Sequence, residues 1–542
     1  MSSFNKSLIK IPDDKGIHIK SAGAKSEKYV YKYVRYYRNQ NGEPRNKAKA
    51  IGKFDSVSGK MFPNSNYFDI YNVDPTLADV SVWDYGYSYL VIKVCHDMNL
   101  WECLKKVFSL YALDIIIMAA FMIREGNSMD GLDDWQQSNF FKDSDRLLTS
   151  QVTSRIFSSI TEKQRHEFFK MWVKTAPGEG SVFYDVTSFS SYAQEMTAVE
   201  RGYNRDGEDL SQFNLGMFCD EKNRTPLYYN RYNGSLTDRS NLSYVLANAK
   251  EVGIKSVKMI LDGGFWSQDC FTSLHKSCEA FTVGMPTFLK EADKIITECG
   301  YGIESYAYEL PKRNVYCIPV NYEIFGIAGR VLIYYDSYSH VNQCGELSET
   351  IDRLKLELAG LKRYPNNNIR RYHPYFILTK HEQDSGFDYM VDNEKIEKLR
   401  KTKGYFLIFT TDMQSSPAEI LNHYRAKDMD EKLFSQIKVD MDGSRIRTHN
   451  ESTTDGKVFV TFIACVIRSY ILGKLSYYLT SNSTSLKKVL NQLSNINIIS
   501  NNNNELRFSK ALSKKQKQIL NIFGAGDSIV LSLKQSVSTL KK

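Results

Sequence analysis

The chain has 542 residues, 42% of them hydrophobic, so it is long enough for several domains and too apolar for a disordered protein. The net charge of +9, from 71 basic and 62 acidic residues, excludes a strongly acidic protein and suits a nucleic-acid partner, although a basic protein without a polyanion would have the same composition. The nine cysteines are odd in number and no pair has CxxC spacing, which argues against zinc and a disulfide framework and favours reduced thiols in a cytoplasm.

No membrane association is expected. The N-terminal stretch MSSFNKSLIKIPDDKG has no apolar segment of the kind found in signal peptides. The longest apolar run, Val458 to Ile467, is about half of what a bilayer-spanning helix needs. It is predicted to be a buried helix or strand.

A β-hairpin is predicted at 29–54, within an N-terminal region of residues 1–79. YVYKYVRYYRNQ is rich in Tyr and Val, and KAKAIGKF could form the second, returning strand. Asn41-Gly42 between them is a strong tight-turn signal. Tyrosines interleaved with cations would suit DNA contact, but a solvated edge strand would have the same composition, so both interpretations stay open. The basic residues of this hairpin are Lys32, Arg35, Arg38, Arg45, Lys47, Lys49 and Lys53.

Residues 80–175 are predicted to be helical. SYLVIKVCHDMNLWECLKKVF and LDIIIMAAFMIREG have the apolar spacing of helices. A helical bundle is the preferred interpretation. Because helical N-terminal domains often bind DNA, we expect a DNA-binding domain here, although no helix-turn-helix can be assigned.

From residue 181 onward strands dominate. Five short apolar runs have strand length, and NLSYVLANAKEVG (241–253) is predicted as a helix between the third and the fourth. Three strands, a helix and a strand is the opening order of an RNase H-like fold. The five runs are SVFYDVTSF, SQFNLGMFCD, TPLYYNRY, SVKMILDGGF and AFTVGMP.

The strand pattern is interrupted at 287–404, which holds polar strands and charged helical stretches such as LSETIDRLKLELAGLKRY. It resumes at YFLIFTTD, so 176–286 and 405–475 are predicted as the halves of one split core. Residues 476–542 are predicted as a C-terminal helical region with a loop at the asparagine run 501–504. The expected fold class is α+β and multidomain: an RNase H-like α/β core interrupted by an insertion domain, with a β-hairpin and a helical region before it.

Two aspartates occur in apolar strands: Asp185 inside SVFYDVTSF and Asp262 at the end of KMILDGGF. An ionised carboxylate in a buried strand is costly unless it is paired or binds a metal, and aspartate is a poor strand former. Either one alone would pass as a structural hydrogen-bond acceptor, but two on neighbouring strands favour a site. Gly263 and Gly264 let the backbone turn at the strand end, where open α/β sheets bind ligands.

A third acid is on the helix predicted at 416–440. Ser416, Pro417 and Glu419 form a capping-box start. A solvated charged face with helical ion pairs is one interpretation of the charged residues along this helix. At 100° per residue, one face about 60° wide carries Tyr424, Lys427, Glu431 and Lys438.

With these residues the chain resembles the DDE transposases of bacterial insertion sequences, in the large superfamily with a Tyr-Arg-Glu-Lys signature. In that signature Arg follows Tyr after two residues, Glu follows after three more and Lys after six more. Here the positions are Tyr424, Lys427, Glu431 and Lys438, so Lys replaces Arg, while Arg425 lies nearby but off register. The likeness covers roughly residues 28–525 and includes YDVTSFSSY, GYNRDGEDLSQFNLGMF, TPLYYNRYNGSLTDRSNL, LDGGF and YVRYYRNQNGEPRNKAKAIGKFD.

The resemblance implies an RNase H-like core with an insertion between the second Asp and the Glu. It implies that Asp185, Asp262 and Glu431 are catalytic and bind two Mg²⁺ ions, with Mn²⁺ as a substitute. Hard divalent cations take oxygen ligands, and two of them suit in-line phosphoryl transfer. The expected DNA contacts are Tyr424, Arg425, Lys427 and Lys438.

The family cuts double-stranded DNA at the terminal inverted repeats of its element and joins the 3′-OH ends to a target. A homodimer on DNA, in a prokaryotic cytoplasm at the nucleoid, is therefore expected. An RNase H-like nuclease without strand transfer would use the same three carboxylates, and a DNA-binding derivative with an inactive core is a further alternative. A two-carboxylate glycosidase would leave the Tyr and Lys face unexplained.

Overall fold

The apolar runs of the sequence form two compact groups of sheets and helices in a computed structural model of the chain. The first group comprises Met1–Lys93, Asp133–Leu147 and Tyr477–Lys542, and the second comprises Val94–Leu132 and Leu148–Ser476. The residues that the structure describes are 8–22, 27–39, 41–73, 81–176, 180–193, 196–204, 207–254, 258–300, 302–311, 314–381, 385–426, 434–443, 445–500, 506–526 and 528–532.

The strands are short and mostly antiparallel. In chain order they are β1 Ile17–Ala22, β2 Glu27–Arg38, β3 Pro44–Phe54, β4 Met61–Pro63, β5 Ser81–Asp84, β6 Ser181–Ser190, β7 Gln212–Asp220, β8 Pro226–Asn233, β9 Lys258–Leu261, β10 Ala280–Met285, β11 Val315–Ile324, β12 Ile327–Asp336, β13 Phe376–Lys380, β14 Phe387–Val391, β15 Tyr405–Thr410, β16 Asn497–Ser500 and β17 Leu506–Phe508.

The α-helices range from one turn to eight. In chain order they are α1 Ser65–Tyr71, α2 Gly86–Asp97, α3 Leu100–Phe108, α4 Ala112–Glu125, α5 Leu132–Ser138, α6 Ser150–Ser159, α7 Glu162–Thr175, α8 Asp238–Val252, α9 Gln268–Ser277, α10 Lys290–Cys299, α11 Ser337–Gly360, α12 Ile369–Tyr372, α13 Asn393–Lys401, α14 Pro417–Ala426, α15 Glu451–Ser481, α16 Leu486–Ser494 and α17 Lys514–Ile522.

The first group contains an antiparallel sheet in the order β1-β2-β3-β4 and a smaller sheet in the order β17-β16-β5. The predicted hairpin is confirmed, since β2 pairs with β3 and Asn39 and Glu43 close the turn through a backbone hydrogen bond. The strands β5, β16 and β17 lie in regions predicted to be helical. β5 pairs with β16, more than 400 residues away, so no local pattern marks it as a strand.

The second group is built on a mixed sheet of eight strands in the order β11-β12-β15-β10-β9-β6-β7-β8. Strands β6, β7 and β8 form an antiparallel meander, helix α8 follows, and β9 then pairs in parallel with β6. The predicted order of three strands, a helix and a strand is therefore present. β10 pairs in parallel with β9 and antiparallel with β15, so the parallel strands lie at the centre.

The segment 287–404 is less separate from this sheet than its polar composition indicates. β11 and β12 lie within it, yet β12 pairs with β15 and extends the same sheet. The reason is the fully buried run Val331–Tyr334 on β12, which needs strand neighbours and a covered face. A second core belongs to the segment itself, where Leu354, Leu358, Tyr372 and Phe376 pack together near the β13-β14 pair.

Two helical stretches, Leu100–Glu125 and Glu451–Ser481, have the length and apolar composition of membrane spans. Of their most apolar windows, 67% and 78% respectively are buried inside the protein, which is typical of core helices. The run Val458 to Ile467, predicted to be a buried helix or strand, is part of the second stretch, α15, a helix of 31 residues. Arg231 on β8 anchors α15 through ion pairs with Glu451 and Asp455.

Candidate active site

The pairing of β6 with β9 brings Asp185 and Asp262 side by side. Ser181 lies opposite Lys258 in this parallel pair. Asp185 is four residues beyond Ser181 and Asp262 is four residues beyond Lys258, so the same register places both aspartates at one level. Side chains at one level of neighbouring strands, about 4.8 Å apart, point to the same face of the sheet. Both carboxylates therefore emerge from one face at the centre of the sheet.

Backbone amides orient the two carboxylates. Asp185 Oδ1 accepts a hydrogen bond of 2.9 Å from the amide of Val186. Asp262 caps a short 3-10 turn, and its Oδ1 accepts one of 2.8 Å from the amide of Gly264. A Cβ atom at Gly264 would lie 2.9 Å from that same oxygen, so a larger residue there would push the carboxylate aside. Both aspartates are half-buried, so each carboxylate is fixed but still accessible.

Tyr424 reaches the same face beside the aspartates. Val283 on β10 lies opposite Leu261, so the next residue, Gly284, comes to the level of Asp262. A Cβ atom on Gly284 would overlap the hydroxyl oxygen of Tyr424. The missing side chain of Gly284 thus makes room for the tyrosine.

Helix α14 presents this tyrosine, and its start is the predicted capping box. The Ser416 amide donates to Glu419 Oε2 at 2.7 Å, and the Glu419 amide donates to Ser416 Oγ at 3.3 Å. Ile420 and Leu421 bury against a core cluster that includes Ile408 of β15. The cap and this apolar contact fix α14 on the sheet.

Arg425 is engaged within the protein. Its guanidinium forms an ion pair of 3.0 Å with Asp336 and lies 5.7 Å from the centre of the Phe406 ring. A DNA phosphate that bound this guanidinium would have to compete with the Asp336 carboxylate.

Two further predicted residues, Lys427 and Glu431, lie outside the residues that the structure describes. Lys438 is described. Its ammonium group lies 5.7 Å from the centre of the Phe189 ring. Phe189 is four residues beyond Asp185 on β6 and so projects from the same face.

The prediction of a single regular helix at 416–440 is wrong at its C-terminal end. Gln436–Asp440 is a π-helix, whose i→i+5 hydrogen bonds give more residues per turn than the 3.6 assumed in the projection. The buried Ile437 lines the same apolar space as Phe189 and Leu215, so packing fixes this turn. The angle predicted for Lys438 therefore does not hold, although its side chain still lies over the face of the two aspartates.

A charged cluster at the carboxyl end of β6 was not predicted. A hydrogen bond from Ser190 lowers the pKa of Glu208, burial opposes this, and Arg445 and Lys438 lower the pKa further. Arg445 contacts Glu208 at 3.3 Å and lies 4.7 Å from the centre of the Tyr192 ring. These residues come from three distant parts of the chain, so no spacing in the sequence marks them.

The donor set suits a hard divalent cation. Two carboxylates at one level of a sheet supply the oxygen ligands that Mg²⁺ prefers. Within the described ranges no group of three or more His, Cys, Asp or Glu residues is close enough to hold a metal ion, and the third predicted ligand, Glu431, falls in the gap 427–433.

No protein-family model matches the chain, and no curated protein matches it. Among solved structures, it is similar to a cryo-EM structure of a piggyBac transposase synaptic complex with hairpin DNA. The sequence identity is 10% and the TM-score is 0.35, over 87% of this chain and 84% of that one. A similarity of this size does not by itself establish the fold or the family of the chain.

Proposed function

We propose that the protein is a DDE-type DNA transposase, which cleaves DNA at terminal inverted repeats and joins the 3′-OH ends to target DNA by metal-dependent phosphoryl transfer. One observation carries the proposal: Asp185 and Asp262 lie at the same level on neighbouring parallel strands and share one face of the sheet. The strand order around them supports an RNase H-like core.

The pair of aspartates would favour a bound cation. Two ionised carboxylates on adjacent strands repel each other, and partial burial raises the cost of their charge. No ion pair to Asp262 is present in the described part of the chain, and its carboxylate accepts a hydrogen bond from the backbone amide of Gly264. A divalent metal would balance this charge.

We propose Glu431 as the third carboxylate. The described segments on either side of it lie over the face with the aspartates, Tyr424 over β10 and Lys438 over β6. Strand β9, which leads into Asp262, lies between β10 and β6. Glu431 lies between these two residues in the sequence, which supports its assignment to the same site.

When bound, two Mg²⁺ ions, or Mn²⁺ as a substitute, would activate the attacking oxygen and stabilise the leaving oxygen. Asp185, Asp262 and Glu431 would hold them. The protein's other groups bind and orient DNA: the Tyr424 hydroxyl by a hydrogen bond to phosphate, and Lys427 and Lys438 by charge. We propose a homodimer on DNA, because two DNA ends must be cut and joined together.

A cleavage and joining assay tests this function. Purified protein is incubated in Mg²⁺ with labelled duplexes that carry the sequences flanking its own coding region, and with EDTA as the control. We expect cuts that expose 3′-OH ends at a repeat boundary, followed by joined products, in Mg²⁺ alone. Cleavage without joining would favour the nuclease alternative, and failure to cut any flanking duplex would contradict the proposal.

A further inference from the structure

The outer half of the β2-β3 hairpin is a two-stranded ribbon with solvent on both faces. Apart from Asn39, every described residue from Val34 to Lys49 is exposed, and Tyr36 and Tyr37 are 66% and 46% exposed. A two-stranded hairpin is at best marginally stable alone in water. The side chains of this outer half are therefore exposed to solvent and do not pack in a core.

A β-bulge gathers cations on one face of the ribbon. The register of β2 against β3 shifts between Tyr33 and Arg35. Lys32 faces Lys49 before the shift and Arg35 faces Lys47 after it, and alternation on β3 places Lys47 and Lys49 on one face. Without the bulge Arg35 would project from the opposite face. The basic face of the ribbon consists of Lys32, Arg35, Tyr37, Arg45, Lys47 and Lys49.

These cations oppose one another across the strands. Like charges directly opposite in an antiparallel pair are destabilising. Two members have carboxylate partners, Lys32 with Asp14 at 2.9 Å and Arg45 with Glu43 at 2.9 Å. In the described ranges no ion pair involves Arg35, Lys47 or Lys49. The ribbon thus carries an unfavourable arrangement of charge that an anionic partner would relieve.

Aromatic contacts on the other face of the ribbon hold it against β1. Tyr33 projects there, with its ring 4.5 Å from that of His18 and 5.8 Å from that of Tyr36. These aromatic contacts fasten the lower part of the hairpin to β1. At the base of the basic face Lys32 is held by Asp14, and the rest of the face, from Arg35 to Lys49, is exposed to solvent.

We propose that the basic face of this ribbon binds the phosphate backbone of double-stranded DNA. The inference rests on the proposed function for the identity of the polyanion. Arg45, Lys47 and Lys49 alternate along β3, so they recur about every 6.8 Å, which is about the axial rise of two nucleotides of B-DNA. A two-stranded ribbon is also narrow enough for the major groove, about 12 Å wide. Contact with phosphates makes this binding independent of base sequence.

The test compares two triple variants by fluorescence anisotropy on a duplex without terminal repeats and without Mg²⁺. Arg35→Gln, Lys47→Gln and Lys49→Gln remove the unpaired cations of the basic face. Lys20→Gln, Lys28→Gln and Lys60→Gln remove the same charge from exposed positions of the same group of sheets. Each phosphate contact contributes about −0.9 to the slope of log K against log salt. We expect the basic-face variant to bind more weakly and with a slope about 2.7 units less steep, and the control to keep the wild-type slope.

Thermal unfolding separates binding from folding. Because the variant removes repulsion between facing cations, its melting temperature should equal or exceed that of the wild type. An unchanged slope for the basic-face variant would overturn the inference, as would an equal loss in the control, or a loss confined to double-stranded RNA. If the inference is overturned in this way but the wild type cleaves and joins DNA, the proposed function is retained. If the salt dependence of binding changes in the basic-face variant but the wild type never cleaves DNA, the inference about the ribbon is supported and the proposed function is contradicted.

Discussion

The carboxylates of Asp185 and Asp262 each accept a hydrogen bond from a nearby backbone amide, which fixes their direction without adding a formal positive charge. Their strands are neighbours about 4.8 Å apart, so the two charges repel at short range. We propose that this pair binds a divalent cation, because metal binding would remove the repulsion and would need little rearrangement of the two carboxylates.

Glu431 and its neighbour Asp430 provide a matched pair of variants. In the helical projection of the sequence Glu431 comes within about 20° of Tyr424, and Asp430 points about 120° away. We expect Glu431→Gln to abolish cleavage in Mg²⁺ and to keep DNA affinity, because the amide preserves shape but loses the charge that metals need. Asp430→Asn should retain most activity. The opposite pattern, with Asp430→Asn inactive and Glu431→Gln normal, would remove Glu431 from the site.

His423 on α14 gives a pH-dependent contact with the turn after β7. Its hydrogen bond with Glu221 raises its pKa, burial opposes the rise, Glu221 and Glu419 favour the charged ring, and Lys258 disfavours it. Since the pKa is higher in the folded state, the stabilisation is complete below the ordinary pKa of about 6.5 and is lost as the pH rises through the raised value. The imidazole is partly exposed, so its contribution is at most about 1 kcal/mol.

We therefore expect His423→Gln to lower the free energy of unfolding at pH 5.5 and to have almost no effect at pH 8.5. Urea denaturation of both proteins at the two pH values measures the difference. A cost that is larger at pH 8.5 would show that the charged ring is not what stabilises α14.

Helix α14 has a capped N-terminus and presents Tyr424 over the sheet. The capping box and the buried Ile420 and Leu421 fix its axis, so Tyr424 can reach β10 at the level of Asp262. The contact depends on a glycine in the middle of a sheet, where glycine is otherwise unfavourable. Gly284 is thus best explained by the close approach of the tyrosine.

Gly284→Ala should force the Tyr424 ring away and destabilise the protein by about 1–3 kcal/mol. Tyr424→Phe removes the hydroxyl that the new methyl group would overlap, so Gly284→Ala should cost less in that background. A double-mutant cycle by urea denaturation should give a coupling energy of about 0.5–3 kcal/mol. Additive effects of the two changes would mean that Tyr424 does not lie over Gly284.

The elements that the sequence predicts well are those with a strong local signal. Asn41-Gly42 marks the hairpin, Ser416 and Glu419 mark the start of α14, and Asp185 and Asp262 stand out as charges in apolar strands. Features that depend on distant packing leave no such local signal. The strand pairing of β5, the π-helical turn at Gln436–Asp440 and the cluster of Glu208 with Arg445 each depend on partners far away in the chain.

Across the whole molecule, the proposed sequence-independent DNA binding by the ribbon and the proposed chemistry belong to different groups of sheets and helices. The ribbon belongs to the first group of sheets and helices, and the aspartates belong to the second. The net charge of +9 is small for 542 residues, yet residues 34–49 hold five basic residues and one acid. Substitutions of the aspartates should therefore leave the affinity for DNA nearly unchanged, while substitutions of the ribbon should weaken it.

The most direct measurement compares joining of 3′-OH ends in Mg²⁺ by the wild type, Asp185→Asn, Asp262→Asn and the control Asp269→Asn, whose aspartate is exposed on α9. Loss of residues that only orient metal ligands typically costs 10–100-fold, so loss of a ligand itself should cost more than about 100-fold. We predict that both site variants lose cleavage and joining to this extent while DNA affinity persists, and that Asp269→Asn behaves as the wild type. Joining at the wild-type rate by either Asp185→Asn or Asp262→Asn would contradict the proposed site.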